Sequence, residues 1–282
     1  MMPRTLRVSP LVLLLLAAAC GGEKKDAAPA PTPEPVAAPT PAPTGIDMSA
    51  TRERAKTAMF VPAPSEFQAA LKASGATLDW KSLITDSDRP LEGRNKPMIA
   101  LETGRRIANL LLTVQDADKP TIERRMKAAR DALTALGAPD TVLAEVDKVL
   151  ADFTAGSIGA AELVPILDML SHRLQGELAG AGEDVATLVQ AGGWVQAVNL
   201  LATGLDRGGI TGDAALLMRQ PTVLSHFMEF LKKSAPAQGN DPDVLAVLAE
   251  MEKLSVIAAK PELVSEDVKA ISIATTAIVG RF

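Results

Sequence analysis

The side chains able to act as nucleophile, general base or metal ligand are few in this chain: one cysteine, Cys20, and two histidines, His172 and His226. Each histidine follows a serine within the triplet Leu-Ser-His, at residues 170–172 and 224–226. Neighbouring residues on a helix point in different directions, so neither pair aligns a hydroxyl with its own base. No His-Glu-x-x-His or comparable ligand spacing is present, and phosphate-loop, dinucleotide and serine-hydrolase signatures are absent. The acids of the glycine-rich stretch Asp206 to Asp213 lack the alternating oxygen ligands and distant glutamate of a calcium loop. No catalytic residue, resident metal or cofactor is therefore expected.

Two other groups of residues have binding chemistry. Gly192-Gly193-Trp194 interrupts an apolar helical stretch, where each glycine costs about 1 kcal/mol relative to alanine. One use is close helix approach, with Trp194 filling the adjacent core and Gly104 and Ala108 as the receiving face; the other is a ligand pocket floored by bare backbone. The second group, Arg105, Arg106, Arg124, Arg125, Lys127 and Arg130, is the densest basic region. It reads as a solvated face, or as a docking patch for an anionic headgroup or acidic partner whose binding would weaken with salt.

These residues must be held by helices. Alanine and leucine are abundant, β-branched alternation is scarce, and the expected fold class is all-α, an irregular helical bundle. Ser65 to Gln68 has capping-box spacing, and Pro120, Pro139, Pro221 and Pro242 sit where first turns begin. Gly75, Gly137 and Gly156 close apolar-periodic stretches. Ile122, Met126, Ala129, Leu133 and Leu136 form one stripe, and Val142, Val146, Val149 and Phe153 another. The short link Gly137-Ala138-Pro139 makes those two helices an antiparallel hairpin. Further helices are expected near 97–116, 161–179, 184–205, 222–233, 243–259 and 265–279, with Pro165 kinking or delaying its own. The stretch 204–213 reads as a hinge, giving a possible sub-boundary near 206–213. No repeat of solenoid period emerges. Unbroken apolar runs after Cys20 are shorter than a spanning helix.

Charge and composition exclude some partners. The chain carries a formal charge of −5 and no tyrosine, with six phenylalanines and two tryptophans. That composition argues against nucleic acid and against aromatic stacking platforms.

Cys20 has a different context. Arg4 and Arg7 precede an apolar run from Val8 to Leu16, and Ala17-Ala18-Ala19 lead into the cysteine. These residues resemble the bacterial lipoprotein signal, with Ala17 standing where the usual form has leucine. The resemblance covers about the first 22 residues. It implies that residues 1–19 are removed, that the Cys20 sulfur receives diacylglycerol, and that the new amino terminus is acylated by a long chain such as palmitate. At roughly 0.8 kcal/mol per buried methylene, two or three chains make a lasting anchor. Gly21 stands where an inner-membrane retention signal would have aspartate, so the outer membrane is expected, with the domain in the periplasm or on the cell surface.

Residues 20–45 then form a linker. Prolines at 29, 31, 33, 35, 39, 41 and 43 forbid a regular helix. At about 3.1 Å per residue the disordered Pro/Ala-rich tract spans on the order of 50 Å. Residues 46–282 remain as the helical domain. The expected role is non-catalytic: a membrane-anchored protein-interaction or scaffold function at the cell envelope, with carriage of a small hydrophobic ligand between helices near Trp194 as the alternative.

Overall fold

Helices in this protein begin where an acceptor side chain stands beside a proline. Asn95, Asp118 and Asp241 accept backbone N–H groups from Met98 at 3.0 Å, from Thr121 at 2.9 Å and from Asp243 at 2.8 Å, just ahead of Pro97, Pro120 and Pro242. The side chain satisfies a donor the helix leaves open, while proline supplies the right φ and needs no partner. Gly137 and Gly156 stop two helices in the left-handed conformation, at φ 83° and 77°.

The computed structural model describes residues 61–85, 89–179, 183–209, 213–237 and 240–282. The expected leader, Cys20 and the proline-rich linker lie outside them. All described residues belong to one unit, Glu53–Phe282. The elements are α1 (Pro64–Ala73), α2 (Trp80–Leu83), α3 (Lys96–Thr113), α4 (Lys119–Leu136), α5 (Asp140–Ala155), α6 (Ala160–Ala179), α7 (Glu183–Gly208), α8 (Asp213–Leu216), α9 (Pro221–Ala237), α10 (Pro242–Ala258) and α11 (Ser265–Val279). There is no strand among the described residues, and the fold is all-α.

α7 is the axis of the domain. α3, α11, α6, α9 and α2 all pack on it. Apolar residues run around its whole circumference, as befits a core helix: Val195, Ala197, Leu201, Ala202 and Leu205 are all fully buried. By length and composition the stretch Asp184–Gly208 could cross a membrane, but 83% of its apolar window is buried within the domain. The few polar residues of α7 form rungs to its neighbours. Gln196 donates to Asn109 of α3 at 2.6 Å, and Asn199 accepts from Thr276 of α11 at 2.9 Å. Such rungs fix the register that apolar contact alone leaves loose.

α4 and α5 form the antiparallel hairpin. Arg130, seven residues before Gly137, meets Asp147 through two hydrogen bonds of 2.9 and 3.0 Å. Inside the hairpin lies a second, smaller apolar cluster that includes Leu110, Met126, Val149, Phe153 and Leu163, separate from the large cluster around α7. Ile107 packs against both.

Three local expectations are corrected. The first helix starts at Pro64, not after Ser65; Glu66 accepts the Ala63 N–H at 2.6 Å, so only the acidic half of a capping box is used. Pro139 precedes its helix rather than opening it. The first part of the stretch 204–213 is not a loop: α7 continues to Gly208, while residues 210–212 lie outside the described residues. A Cβ on Gly204 would lie 2.8 Å from the Leu78 side chain and 3.1 Å from that of Leu83, so this glycine gives the segment around α2 its seat. Packing over a bare backbone outweighs the low helix propensity of the glycine. Pro165 is accommodated inside α6.

Candidate functional site

The two adjacent glycines of α7 do different work. A Cβ on Gly192 would fall 1.9 Å from the Leu101 carbonyl oxygen, and one on Gly104 of α3 would fall 1.9 Å from that of Val189. Backbone meets backbone here, at a separation no side chain permits. Gly193 is turned aside: its Cβ would meet the Gly104 oxygen at an ordinary 3.4 Å. It lines a cavity instead.

That cavity, about 300 Å³, lies between α3, α6 and α7, closed at one end by the entering segment Val61 to Pro64. Gly104, whose missing Cβ admits the α7 backbone, lies at its edge, and Ala108 and Gly193 leave the space because they are too small to fill it. Trp194 forms a wall and is 2% exposed. Its orientation is fixed twice over: Nε1 donates to Gln220 Oε1 at 3.1 Å, and the ring meets Phe227 edge to face at 5.9 Å. The Gln220 amide is itself held by the Leu217 carbonyl at 3.0 Å. Thus both readings of Gly192-Gly193-Trp194 have a physical counterpart, close approach at Gly192 and a bare floor at Gly193.

The lining is mostly apolar with four hydrogen-bonding side chains: Ser171, His172, Gln175 and Gln190. Among the described residues, no Asp, Glu, Lys or Arg lines it. Ser171 and His172 both line the cavity, and among the described residues of its wall no carboxylate stands beside the imidazole as the third member of a triad. His226 is elsewhere, half-buried on α9 with its ring 4.9 Å from that of Phe230 and 5.9 Å from that of Phe227. Among the described residues no group of three or more His, Cys, Asp or Glu gathers as a metal site. Among the described residues the lining of the cavity has no charged side chain and no grouped carboxylates, only apolar surface with a few hydrogen-bonding groups.

The six basic residues do not form one exposed patch. Arg105, Arg106 and Arg125 are buried. Glu102, wholly buried, receives hydrogen bonds from Arg105 Nε at 2.6 Å and Arg106 Nε at 2.7 Å. Arg106 continues to the carbonyls of Ala128 at 3.1 Å and Arg89 at 2.7 Å, tying α3 to α4 and to the preceding loop. Arg125 donates to the Thr113 hydroxyl. Arg130 is the half-exposed partner of Asp147, which leaves Arg124 and Lys127 as the exposed members. The docking patch is corrected to a buried charge network that joins two helices. Its signal was legible: Glu102 stands three and four residues before the two arginines, the spacing at which helical side chains meet.

Sequence reasoning also missed Gln175 and Gln190. Gln190 belongs with Gln196 and Asn199 to the polar minority of an apolar helix, and those positions marked where α7 faces something other than hydrocarbon. No protein-family model, curated protein or solved structure matches this chain.

Proposed function

We propose that this chain is a lipid-anchored cell-envelope protein whose helical domain carries a small, largely apolar ligand in the cavity beside Trp194. The observation that carries the reading is the cavity itself: a floor of Gly104 and Gly193, a fixed aromatic wall, four hydrogen-bonding side chains and no charged one among the described residues that line it. At about 300 Å³ it lies at the lower end of the roughly 300–1,000 Å³ typical of small-molecule sites. An uncharged, water-poor lining favours apolar surface, and the polar groups supply orientation. The anchor is supported by the Arg4 to Cys20 leader and by the proline-rich spacer that follows it. Carriage near a membrane suits a ligand that partitions into one.

Native mass spectrometry of the full-length Cys20→Ala protein, which carries no acyl anchor and is purified without detergent, tests the reading. A stoichiometric co-purifying apolar compound is expected, and it should be lost on Ala186→Phe, which fills the cavity from a half-buried position on α7. An empty Cys20→Ala protein that also fails to bind the neutral fluorophore N-phenyl-1-naphthylamine would overturn it. An empty cavity would return weight to a second reading, an interaction or scaffold role, for which Val256 on α10 and Ile273 on α11, 70% and 63% exposed, are the contact candidates.

A further inference from the structure

The space beside Trp194 has a neighbour. A second cavity of about 60 Å³ lies between α3, α4, α5 and α6, with Leu110, Met126, Leu133, Val146, Val149 and Leu170 in its wall. Ile107, Ser171 and Leu174 line both cavities, so these three side chains are the partition between them. Ile107 is also the residue that packs on both apolar clusters of the core. Apart from Ser171, everything lining the smaller cavity is hydrocarbon or thioether. The polar side chains all belong to the larger one.

Polarity therefore falls from the larger cavity, which Gln175 and Gln190 line, to the smaller one, which Val146 and Val149 line. We propose that the two spaces together take a single-chain amphiphile with an uncharged, hydrogen-bonding head, of the monoacylglycerol type. The head lies among Ser171, His172, Gln175 and Gln190; the chain passes Ile107 and Leu174 into the hydrocarbon gap. This rests on the reading of the larger cavity as a carrier site and names the ligand class.

Two features choose that class. With no Lys or Arg among the described residues of either wall, a carboxylate or phosphate head would be desolvated without a partner there, at a cost of several kcal/mol. The smaller cavity, about 60 Å³, is too narrow for a ring system but extends the space open to a polymethylene chain. A chain buried there contributes in proportion to its length.

The test uses the full-length Cys20→Ala protein, free of acyl chains and detergent, with N-phenyl-1-naphthylamine as a compact reporter and 1-monoacylglycerols of increasing chain length as competitors below their aggregation thresholds. Affinity should rise about fourfold per methylene until the gap is filled. Laurate at pH 8 should compete at least about tenfold more weakly than 1-monolauroylglycerol. Leu170→Trp, and independently Val146→Phe, both at half-buried positions in the smaller cavity, should abolish the chain-length dependence while reporter binding persists. If the reporter binds and no monoacylglycerol displaces it, or if chain length has no effect, the amphiphile is wrong and the carrier reading stands. Equal competition by laurate removes the uncharged head. If neither reporter nor monoacylglycerol binds, both readings fall. The chain-length series on the Cys20→Ala protein decides even if a cavity variant fails to fold.

Discussion

Gly192 on α7 and Leu101 on α3 touch through their backbones: a Cβ on the glycine would lie 1.9 Å from the leucine carbonyl oxygen. The helices that frame the cavity are held at this separation by the absence of an atom. Gly192→Ala and Gly104→Ala must push α3 and α7 apart, and each should destabilise by at least about 2–3 kcal/mol. Gly193→Ala meets only ordinary contact and gains helix propensity, up to about 1 kcal/mol. Thermal melts of the three variants should separate sharply. Equal losses at 192 and 193 would contradict the division of roles.

The charge network makes a second prediction. Glu102 is fully buried between Arg105 and Arg106, so Glu102→Ala strands buried cations and should cost about 3–5 kcal/mol. Lys127→Ala, on the exposed face of α4, should stay within about 0.5 kcal/mol of wild type. Urea denaturation measures both.

Acid should weaken the domain through specific aspartates. The hydrogen bond from Lys260 holds the Asp267 carboxyl below its usual value, with the Val264 N–H assisting. Asp147 is lowered by its hydrogen bond from Arg130, and Asp118 by its hydrogen bonds with Thr121 at the start of α4. A lowered folded value means that each contributes stability at neutral pH, where the ionised form dominates in both states. That contribution is lost as pH falls below the ordinary 3.8 and through the lower folded value. A melting temperature followed from pH 7 downward should drop in that window, and Asp267→Asn should flatten the drop. A profile unchanged by the substitution would exclude Asp267 as a contributor.

The anchor is tested at Cys20. Cells labelled with radioactive palmitate should yield a labelled protein in the membrane fraction, and Cys20→Ala should be unlabelled and soluble. An unlabelled wild-type protein whose mature amino terminus lies beyond Cys20 would remove the anchor from the proposal.

Much of the fold was legible because its cues are local. Asp118, Pro120 and Gly137 act within a turn of themselves, so their roles follow from spacing, and the helices they bound lie where periodicity put them. Ser65 misled because the proline before it already sets a helical φ, moving the start back two residues, from Glu66 to Pro64. Gly204 misled for the opposite reason. Its propensity argues for a loop, but the helix continues because Leu78 and Leu83 need its bare surface and Leu205 is fully buried beside it.

The candidate site divides in the same way. That Gly192-Gly193-Trp194 needed either a close neighbour or a pocket was written in the sequence, since two glycines within an apolar helix require some compensation. Which glycine takes which part was not, because it depends on the angle at which α3 crosses α7. Likewise, the sequence placed six cations close together but not the burial of three of them, which requires α3 and α4 to pack together around Arg106 and Arg125. By itself the sequence determined an all-α domain, the ends of most helices and the context of the lone cysteine, all set by interactions within a few residues. Only the tertiary structure decided that two cavities share the wall of Ile107, Ser171 and Leu174 and that polarity falls from one to the other. That property belongs to the space between helices, which no single helix encodes.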